Sequence, residues 1–170
     1  MLRTAIIAFL SILCLSGCSS TTKSLTWTSS NVVISDFKAF DIQPVSNATG
    51  GTISEEVLSS LTQLLRYRFK VENLQLTDSR PTGIDSLTVQ SEVLEYKFQY
   101  FTGPPPSSGN KSGLCIVRTR LLQKPANSPV AEIITFYKVD VGQGMLEPKT
   151  PEYLLKEVAT TIAQEVAKMM

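Results

Sequence analysis

Histidine is absent from the 170 residues of this sequence, and its absence excludes several kinds of chemistry. Without an imidazole the chain has no Ser-His-Asp or Cys-His catalytic device and no zinc site with a histidine ligand. Basic residues are not in excess either, since 16 Lys and Arg face 15 Asp and Glu. The chain therefore lacks the excess of basic residues by which proteins bind the phosphates of nucleic acids.

Long apolar runs are also missing beyond the first residues of the chain. After Leu15 no segment approaches the roughly 20 apolar residues that a membrane-spanning helix needs. The hydrophobic content of 42% is nevertheless ordinary for a folded protein. This length and composition predict one domain of modest size.

The first residues have the features of a secretory signal peptide. Arg3 supplies a positive charge, and residues 4–15 form an almost wholly apolar run of about a dozen residues, which is too short to span a bilayer. Residues 15–18 read Leu-Ser-Gly-Cys. This box resembles the cleavage site of bacterial lipoprotein signal peptides. The resemblance implies cleavage before Cys18, acylation of Cys18, and a chain that is anchored to the membrane without crossing it.

The residue after the lipidated cysteine bears on the destination of a Gram-negative lipoprotein. Ser19 stands where the sorting rule places Asp in inner-membrane lipoproteins, so the resemblance implies the periplasmic face of the outer membrane. Removing residues 1–17 leaves 15 basic and 15 acidic residues, a mature chain near neutrality. With Cys14 cleaved away and Cys18 acylated, Cys115 has no partner for an internal disulfide.

Residues 18–30 are dominated by Ser and Thr and are predicted to form a flexible tether after the lipidated cysteine. Trp27 is the exception, and two interpretations of it stay open. It is either an interfacial anchor near the lipid headgroups or the first residue that docks on the domain. The folded domain is predicted over residues 31–170.

Hydrophobic periodicity predicts the elements of this domain. A strand within residues 31–45 precedes a helix that begins at a capping box of Thr52 and Glu55 and ends near Arg68. Strands are expected at 69–76, 86–101 with a bulge at Leu94, 113–123 and 130–141, followed by a helix from Pro151. The order predicts an α+β fold, a two-layer sandwich with a mostly antiparallel sheet of about five strands and two helices on one face.

Catalytic and binding motifs are scarce in this domain. Gly142 and Gly144 match the first two glycines of a dinucleotide-binding motif, but Glu147 stands where the motif has its third glycine. We therefore interpret the segment as a turn. The carboxylate pairs Glu92/Glu95 and Asp36/Asp41 are interpreted as solvated faces.

Two further features of the strands and loops are interpreted in structural terms. Cys115 is expected to be a small buried residue, with a reactive thiol as the alternative. Arg118 and Arg120 are expected on the opposite face, where they either keep the strand edge soluble or pair with Glu132 across the hairpin, with anion binding as the alternative. The Pro-rich loop at 102–113 is interpreted as an exposed connection, with partner recognition as the alternative. The sequence predicts no cofactor, no metal site and no catalytic residue.

The layout of residues 40–45, 87–100, 117–121 and 154–167 resembles a broad group of small Gram-negative lipoproteins. This group includes the N-terminal domain of TolB and the curli-secretion lipoprotein CsgG, and the resemblance covers about residues 32–168. It implies a protein that docks other envelope components. The long amphipathic strands of a CsgG-like pore are missing from the sequence. The auxiliary lipoproteins of lipid-transport ABC systems share the same element order.

These observations lead to hypotheses from different classes. The first is a non-enzymatic outer-membrane lipoprotein that acts as a periplasmic adaptor or envelope-assembly factor with an envelope protein as partner. The alternative is a binder or carrier of a lipid or cell-wall fragment, and a hydrolase with a Ser-Lys or carboxylate device ranks third. A homo-oligomer stays open, because a strand edge can be covered or used for pairing.

Overall fold

The computed structural model describes residues 20–77, 86–100, 111–141 and 151–170. A short 3₁₀ helix lies at Ile34–Asp36. The strands are β1 (Ser20–Thr28), β2 (Ala39–Ile42), β3 (Ser46–Asn47), β4 (Ser86–Tyr100), β5 (Lys111–Gln123) and β6 (Ser128–Val141). The helices are α1 (Glu55–Val71) and α2 (Pro151–Ala167).

One six-stranded sheet contains all of these strands, in the order β1-β6-β5-β4-β2, with β3 also pairing with β4. The pairs β1–β6, β6–β5 and β5–β4 are antiparallel, whereas β2 and β3 run parallel to β4. The parallel pairing follows from chain order, because α1 lies between these strands and β4 and brings the chain back to the same end of the sheet. The predicted α+β class with a mostly antiparallel sheet is confirmed.

The core lies between the sheet and the two helices, which pack against each other. In the strands every second side chain points into this core, as the pleat requires. The helices contribute the stripes that face the sheet, and each large apolar side chain buried there stabilises the fold by about 1.5–3 kcal/mol. The buried residues include Leu87, Val89, Val117, Leu121, Ile133 and Val139 from the sheet and Leu61, Leu65, Phe69, Leu154, Val158 and Ile162 from the helices.

Residues 20–28 differ from the prediction of a flexible tether. They form β1, which pairs with β6 along its whole length, from Ser20 opposite Val139 to Thr28 opposite Ala131. Threonine is β-branched and fits a half-exposed strand, so a Ser/Thr-rich segment extends the sheet once β6 offers a partner. The tether prediction is therefore wrong for these residues, while residues 1–19, with the signal peptide and Cys18, lie outside the described part.

Helix α1 begins later and ends later than predicted. Its N-cap is Ser54, whose Oγ accepts a hydrogen bond from the Val57 amide at 3.4 Å, so the predicted cap at Thr52 is wrong. The helix runs past Arg68 because Phe69 continues its buried stripe. It ends before Asn73, a residue with φ of 60°.

The strand predicted at residues 69–76 is therefore wrong. Only Leu76 makes a β-bridge there, parallel to Phe40. The strand predicted within 31–45 shortens to β2 with the 3₁₀ helix ahead of it.

The bulge predicted at Leu94 is confirmed, since the register of β4 against β5 shifts between Val93 and Glu95. Neither of the two long helices in the described part of the chain has the length and apolar character needed to cross a bilayer.

Candidate functional site

The helices cover one face of the sheet, and the other face carries the candidate functional surface. We call it the open face. The strand register aligns its side chains in rows across the sheet, so that Glu92 lies opposite Arg118 and Arg118 opposite Ile134. Its residues are Gln90, Glu92, Ile116, Arg118, Arg120, Glu132, Ile134 and Phe136, together with Leu25 and Trp27 of β1.

A charge network lies at the centre of the open face. Arg118 Nε donates to Glu92 Oε1 at 2.6 Å, and Arg120 Nε donates to Glu132 Oε2 at 2.9 Å. Arg120 Nη1 also lies 3.5 Å from Glu92 Oε1, which joins the two pairs into one network. The expected pairing of Arg120 with Glu132 is confirmed, whereas Arg118 pairs with Glu92.

Hydrogen bonding fixes the protonation state of this network. The hydrogen bond from Arg118 lowers the pKa of Glu92 below its ordinary value, against the opposing effect of burial, and the same bond raises the pKa of Arg118. A carboxylate with a lowered pKa is a poor general acid near neutral pH. Glu95, the other carboxylate of the pair noted in the sequence, forms an ion pair with Lys97 at 2.5 Å.

Apolar side chains flank the network on the side of β1. Leu25 is 72% exposed and Trp27 is 54% exposed, and the two lie two residues apart in β1, on the same face. Leu25 lies opposite Ile134, and Trp27 lies opposite Glu132. Of the two interpretations of Trp27, its place in β1 supports the one in which it belongs to the domain.

Strand β1 is also an edge of the sheet. It pairs with β6 on one side, and on its other side no strand of the described residues pairs with it. The nine residues of this edge include one charged residue, Lys23, and no proline. Because charges and prolines are the usual protection of exposed edges, β1 is open to pairing with another strand.

A carboxylate on α2 holds β1 against the helices. Thr26 Oγ1 donates to Glu165 Oε2 at 3.4 Å, and Lys168 Nζ donates to Glu165 Oε1 at 2.7 Å. The bond from Lys168, with smaller contributions from the hydroxyls of Ser24 and Thr26, lowers the pKa of Glu165. Strand β1 is thus tied to the domain by side chains as well as by its pairing with β6.

Cys115 lies on the helix-facing side of β5 and is fully buried. Burial raises the pKa of its thiol to about 12. The expected role of a small buried residue is confirmed, since a thiol in this state is neutral and inert at physiological pH.

Two clefts lie on opposite sides of the molecule. The first, which we call the distal cleft, has a volume of about 640 Å³ and lies at the end of the open face, where β2, β4 and the β5–β6 turn meet. The second, the interhelical groove, has a volume of about 680 Å³ and is lined by Leu64, Tyr67 and Tyr153 of the two helices. Both volumes are within the range of pockets that bind small molecules.

Several predicted features lie outside the described residues. Cys18, the glycine pair at 142 and 144, and residues 102–110 of the Pro-rich loop are among them. Of the second carboxylate pair, Asp41 accepts a hydrogen bond from Gln43 Nε2 at 2.7 Å. Within the described ranges no three side chains of Cys, Asp or Glu are grouped to hold a metal ion.

Comparison with known proteins shows similarity of fold. No protein-family model and no curated protein matches the sequence. The PelC dodecamer from Paraburkholderia phytofirmans is similar with a TM-score of 0.51 at 11% identity, covering 84% of this chain and 98% of that one.

Two further solved structures belong to the same comparison. The hypothetical protein CT253 from Chlamydia trachomatis gives a TM-score of 0.50 at 15% identity over 78% of this chain and 94% of its own. A minor lipoprotein from Acinetobacter baumannii gives a TM-score of 0.41 at 15% identity, covering 78% of this chain and 91% of that one. The PelC and CT253 structures, with TM-scores of 0.51 and 0.50, show that the chain shares their fold.

Proposed function

We propose that this protein is a lipid-anchored, non-enzymatic assembly factor or adaptor of the bacterial envelope, held at the outer membrane through Cys18 and docking partners through β1 and the open face beside it. The observation that carries the proposal is the exposed edge of β1 with Leu25 and Trp27 on it. A partner strand that adds to this edge gains backbone hydrogen bonds, and the two side chains give it apolar contacts.

The position of β1 in the chain supports this role. Ser20 follows Cys18 by two residues, so the chain between them spans at most about 7 Å. A lipidated Cys18 therefore brings the first residues of β1 close to the membrane surface. The edge is then presented where other anchored or membrane-embedded components are concentrated, and dual acylation suffices for stable attachment.

Chemistry on the open face supports a binding role over catalysis. Its carboxylates are engaged with Arg118, Arg120 and Lys97, and the thiol of Cys115 is buried. A surface with an ion-pair network and flanking apolar side chains has the composition of a recognition surface, in which the charges set orientation and the apolar groups supply affinity.

A second copy of the same chain is one partner that this edge fits. Strand β2 at the opposite edge is less available, because the Phe40 backbone is already bonded to Gln75 and Thr77, so a second copy is expected to pair through its own β1. The PelC structure, which has the same fold, is a dodecamer. That precedent places self-association among the assemblies to be tested.

The proposal is tested by photo-crosslinking in cells that carry the full chain. A photoreactive residue is placed at Trp27 and, as the matched control, at Tyr67, an aromatic residue of α1 that is 59% exposed. We expect a crosslinked product, with an envelope protein or a second copy, from position 27 and not from position 67. Equal products from both positions, or none from position 27, would contradict docking through β1.

The anchor is tested with the same material. The Cys18→Ala variant is expected in the soluble fraction of lysed cells, whereas the parent chain is expected with the outer membrane. Recovery of the variant with the outer membrane would contradict anchoring through Cys18.

A further inference from the structure

The distal cleft shares Gln90 and Arg120 with the open face, but none of its lining residues belongs to β1. Strand β4 supplies Thr88 and Gln90 to its floor, β5 supplies Arg120, and Gln43 and Asn127 stand on opposite sides. Its volume of about 640 Å³ is within the range of pockets for ligands of drug-like size. It is assembled from β3, β4, β5 and β6, the segment that follows β2 and the β5–β6 turn, and none of these belongs to the exposed edge of β1.

The charges of the distal cleft are balanced by neighbours. Arg120 is bonded to Glu132 and lies 3.5 Å from Glu92, and Lys124 Nζ lies 3.7 Å from Asp41 Oδ2. An anionic ligand would have to compete with these carboxylates for both cations. The electrostatics of the cleft therefore favour a ligand without net charge.

The neutral polar groups of the lining are suited to a ligand with many hydroxyl and amide groups. Each carboxamide of Gln43, Gln90 and Asn127 offers both a donor and an acceptor. Thr88 is only 8% exposed, and its Oγ1 has no hydrogen-bond partner among the residues that the structure describes. A buried hydroxyl without a partner is unfavourable, and a ligand gains a hydrogen bond from it where the side chains that cover this oxygen move aside.

Apolar walls complete the distal cleft. Pro44, Leu122 and Pro129 line it, and the two prolines have no N–H group to hydrogen-bond a ligand. Apolar side chains beside amides and hydroxyls match a sugar ring, which has C–H faces and a rim of hydroxyl groups. A fatty acid would leave the polar lining without partners.

An extended peptide fits the distal cleft less well than a sugar. Peptides usually bind sheets by adding a strand at a free edge. The floor of the cleft is formed by β4 and β5, which already pair with each other, with Thr88 opposite Leu122. The backbone N–H of Gln43 also donates to the backbone carbonyl of Val89 at 3.0 Å. Recognition there has to come from side chains.

We infer that the distal cleft is a binding site for an uncharged saccharide of about two rings that carries hydroxyl and acetamido groups. Side-chain amides of Gln43, Gln90 and Asn127 bond its polar rim, Thr88 contributes a hydroxyl from the floor, and Pro44, Leu122 and Pro129 pack against its rings. The inference does not depend on docking through β1.

The test is ligand-observed saturation-transfer NMR on the full chain in detergent micelles, titrated with N,N′-diacetylchitobiose. We expect saturable binding with a Kd on the order of 1 mM, typical of a shallow site for a small neutral ligand. Gln90→Ala and Thr88→Val should each raise Kd by about fivefold, the effect of one lost hydrogen bond. Thr88→Val removes a hydroxyl without a partner, so it leaves folding intact.

Gln63→Ala is the matched control, because Gln63 is an exposed glutamine that lines the interhelical groove. It should leave Kd unchanged. Sodium phosphate and trialanine should not displace the disaccharide at equal concentration. Absence of saturable binding, displacement by phosphate or by the peptide, or unchanged affinity in both Gln90→Ala and Thr88→Val would overturn the inference.

Discussion

We expect the substitution Thr→Val to have opposite effects on the unfolding free energy at two buried threonines of the core. Thr119 on β5 and Thr135 on β6 are both fully buried on the helix-facing side of the sheet. The hydroxyl of Thr119 lies 2.9 Å from that of Ser91 on β4, within hydrogen-bond distance. The hydroxyl of Thr135 has no hydrogen-bond partner in the described part of the chain. Valine has nearly the shape of threonine, so Thr→Val changes the polar group and little else.

The difference in unfolding free energy follows from these partners. Thr119→Val removes a hydrogen bond and leaves Ser91 Oγ buried without a partner, which costs about 1–3 kcal/mol. Thr135→Val removes a hydroxyl that is buried without compensation, and we expect a gain of about 1 kcal/mol. The two variants should therefore differ by about 3 kcal/mol. The double variant Ser91→Ala with Thr119→Val should be close to the parent, because both partners are removed together.

Urea denaturation of the anchor-free mature chain, followed by circular dichroism, measures this difference. For a slope of about 2 kcal/mol per molar urea, the midpoints of the two single variants should lie about 1.5 M apart, with the parent between them. Destabilisation of similar size in both variants would refute the assignment of a bonded and an unbonded hydroxyl. A double variant as unstable as Thr119→Val would refute the pairing with Ser91.

Further predictions test the helix, the thiol and the ion pair. Phe69→Ala should lower the unfolding free energy by about 3–5 kcal/mol in urea titrations, because Phe69 is fully buried against Phe40 with ring centroids 5.5 Å apart. Tyr67→Ala, at a position that is 59% exposed, should cost less than about 1 kcal/mol. The Cys115 thiol, with its pKa raised to about 12, should react with a thiol reagent at pH 8 at least about a thousandfold more slowly in the native than in the unfolded chain. Since the lowered pKa of Glu92 stabilises the native state above the unfolded value of about 4.3, that contribution should disappear as pH falls through the folded pKa. Glu92→Gln should show a flatter loss of stability in this acidic range, and an unchanged pH profile would contradict the role of the ion pair.

Local periodicity was sufficient to predict much of the fold. The alternation in β4, the interruption at Leu94 and the turn between β5 and β6 depend on residues close in sequence, and the structure confirms them. The C-terminal helix was predicted for the same reason, from its apolar stripe and from Pro151 at its first position. Such signals are local because the 3.6-residue and two-residue periods are properties of single elements.

The elements that were predicted wrongly depend on distant partners or on competing local patterns. Residues 20–28 form a strand because β6, more than a hundred residues later, offers an edge. At the end of α1, the alternation around Phe69 favoured a strand, yet the series Leu61, Leu65, Phe69 already continued the helical spacing. Burial of Phe69 against the sheet decides between the two patterns, and burial is set by tertiary packing.

The candidate sites were only partly predictable for the same reason. The pairing of Arg120 with Glu132 crosses a short hairpin and was expected from the sequence, whereas the bond between Arg118 and Glu92 spans 26 positions and depends on the register of β4 against β5. The distal cleft combines residues from Gln43 to Pro129, and no segment of the sequence carries its pattern. Polar residues such as Gln90 and Asn127 are typical of loops and strand surfaces, so their types alone give no signal.

The exposed edge of β1 and the distal cleft lie on different strands across the same sheet. Ser20, at the start of β1, lies level with Val139, while Trp27 lies level with Glu132, Arg120 and Gln90. Seven residues at about 3.3 Å each put this second row about 23 Å along the sheet from Ser20. The distal cleft is therefore at the end of the sheet away from the lipidated cysteine, and the edge of β1 extends between the two. Anchoring at Cys18 and strand addition at the edge of β1 engage different atoms from saccharide binding in the cleft, whereas Gln90 and Arg120 belong to both the cleft and the open face.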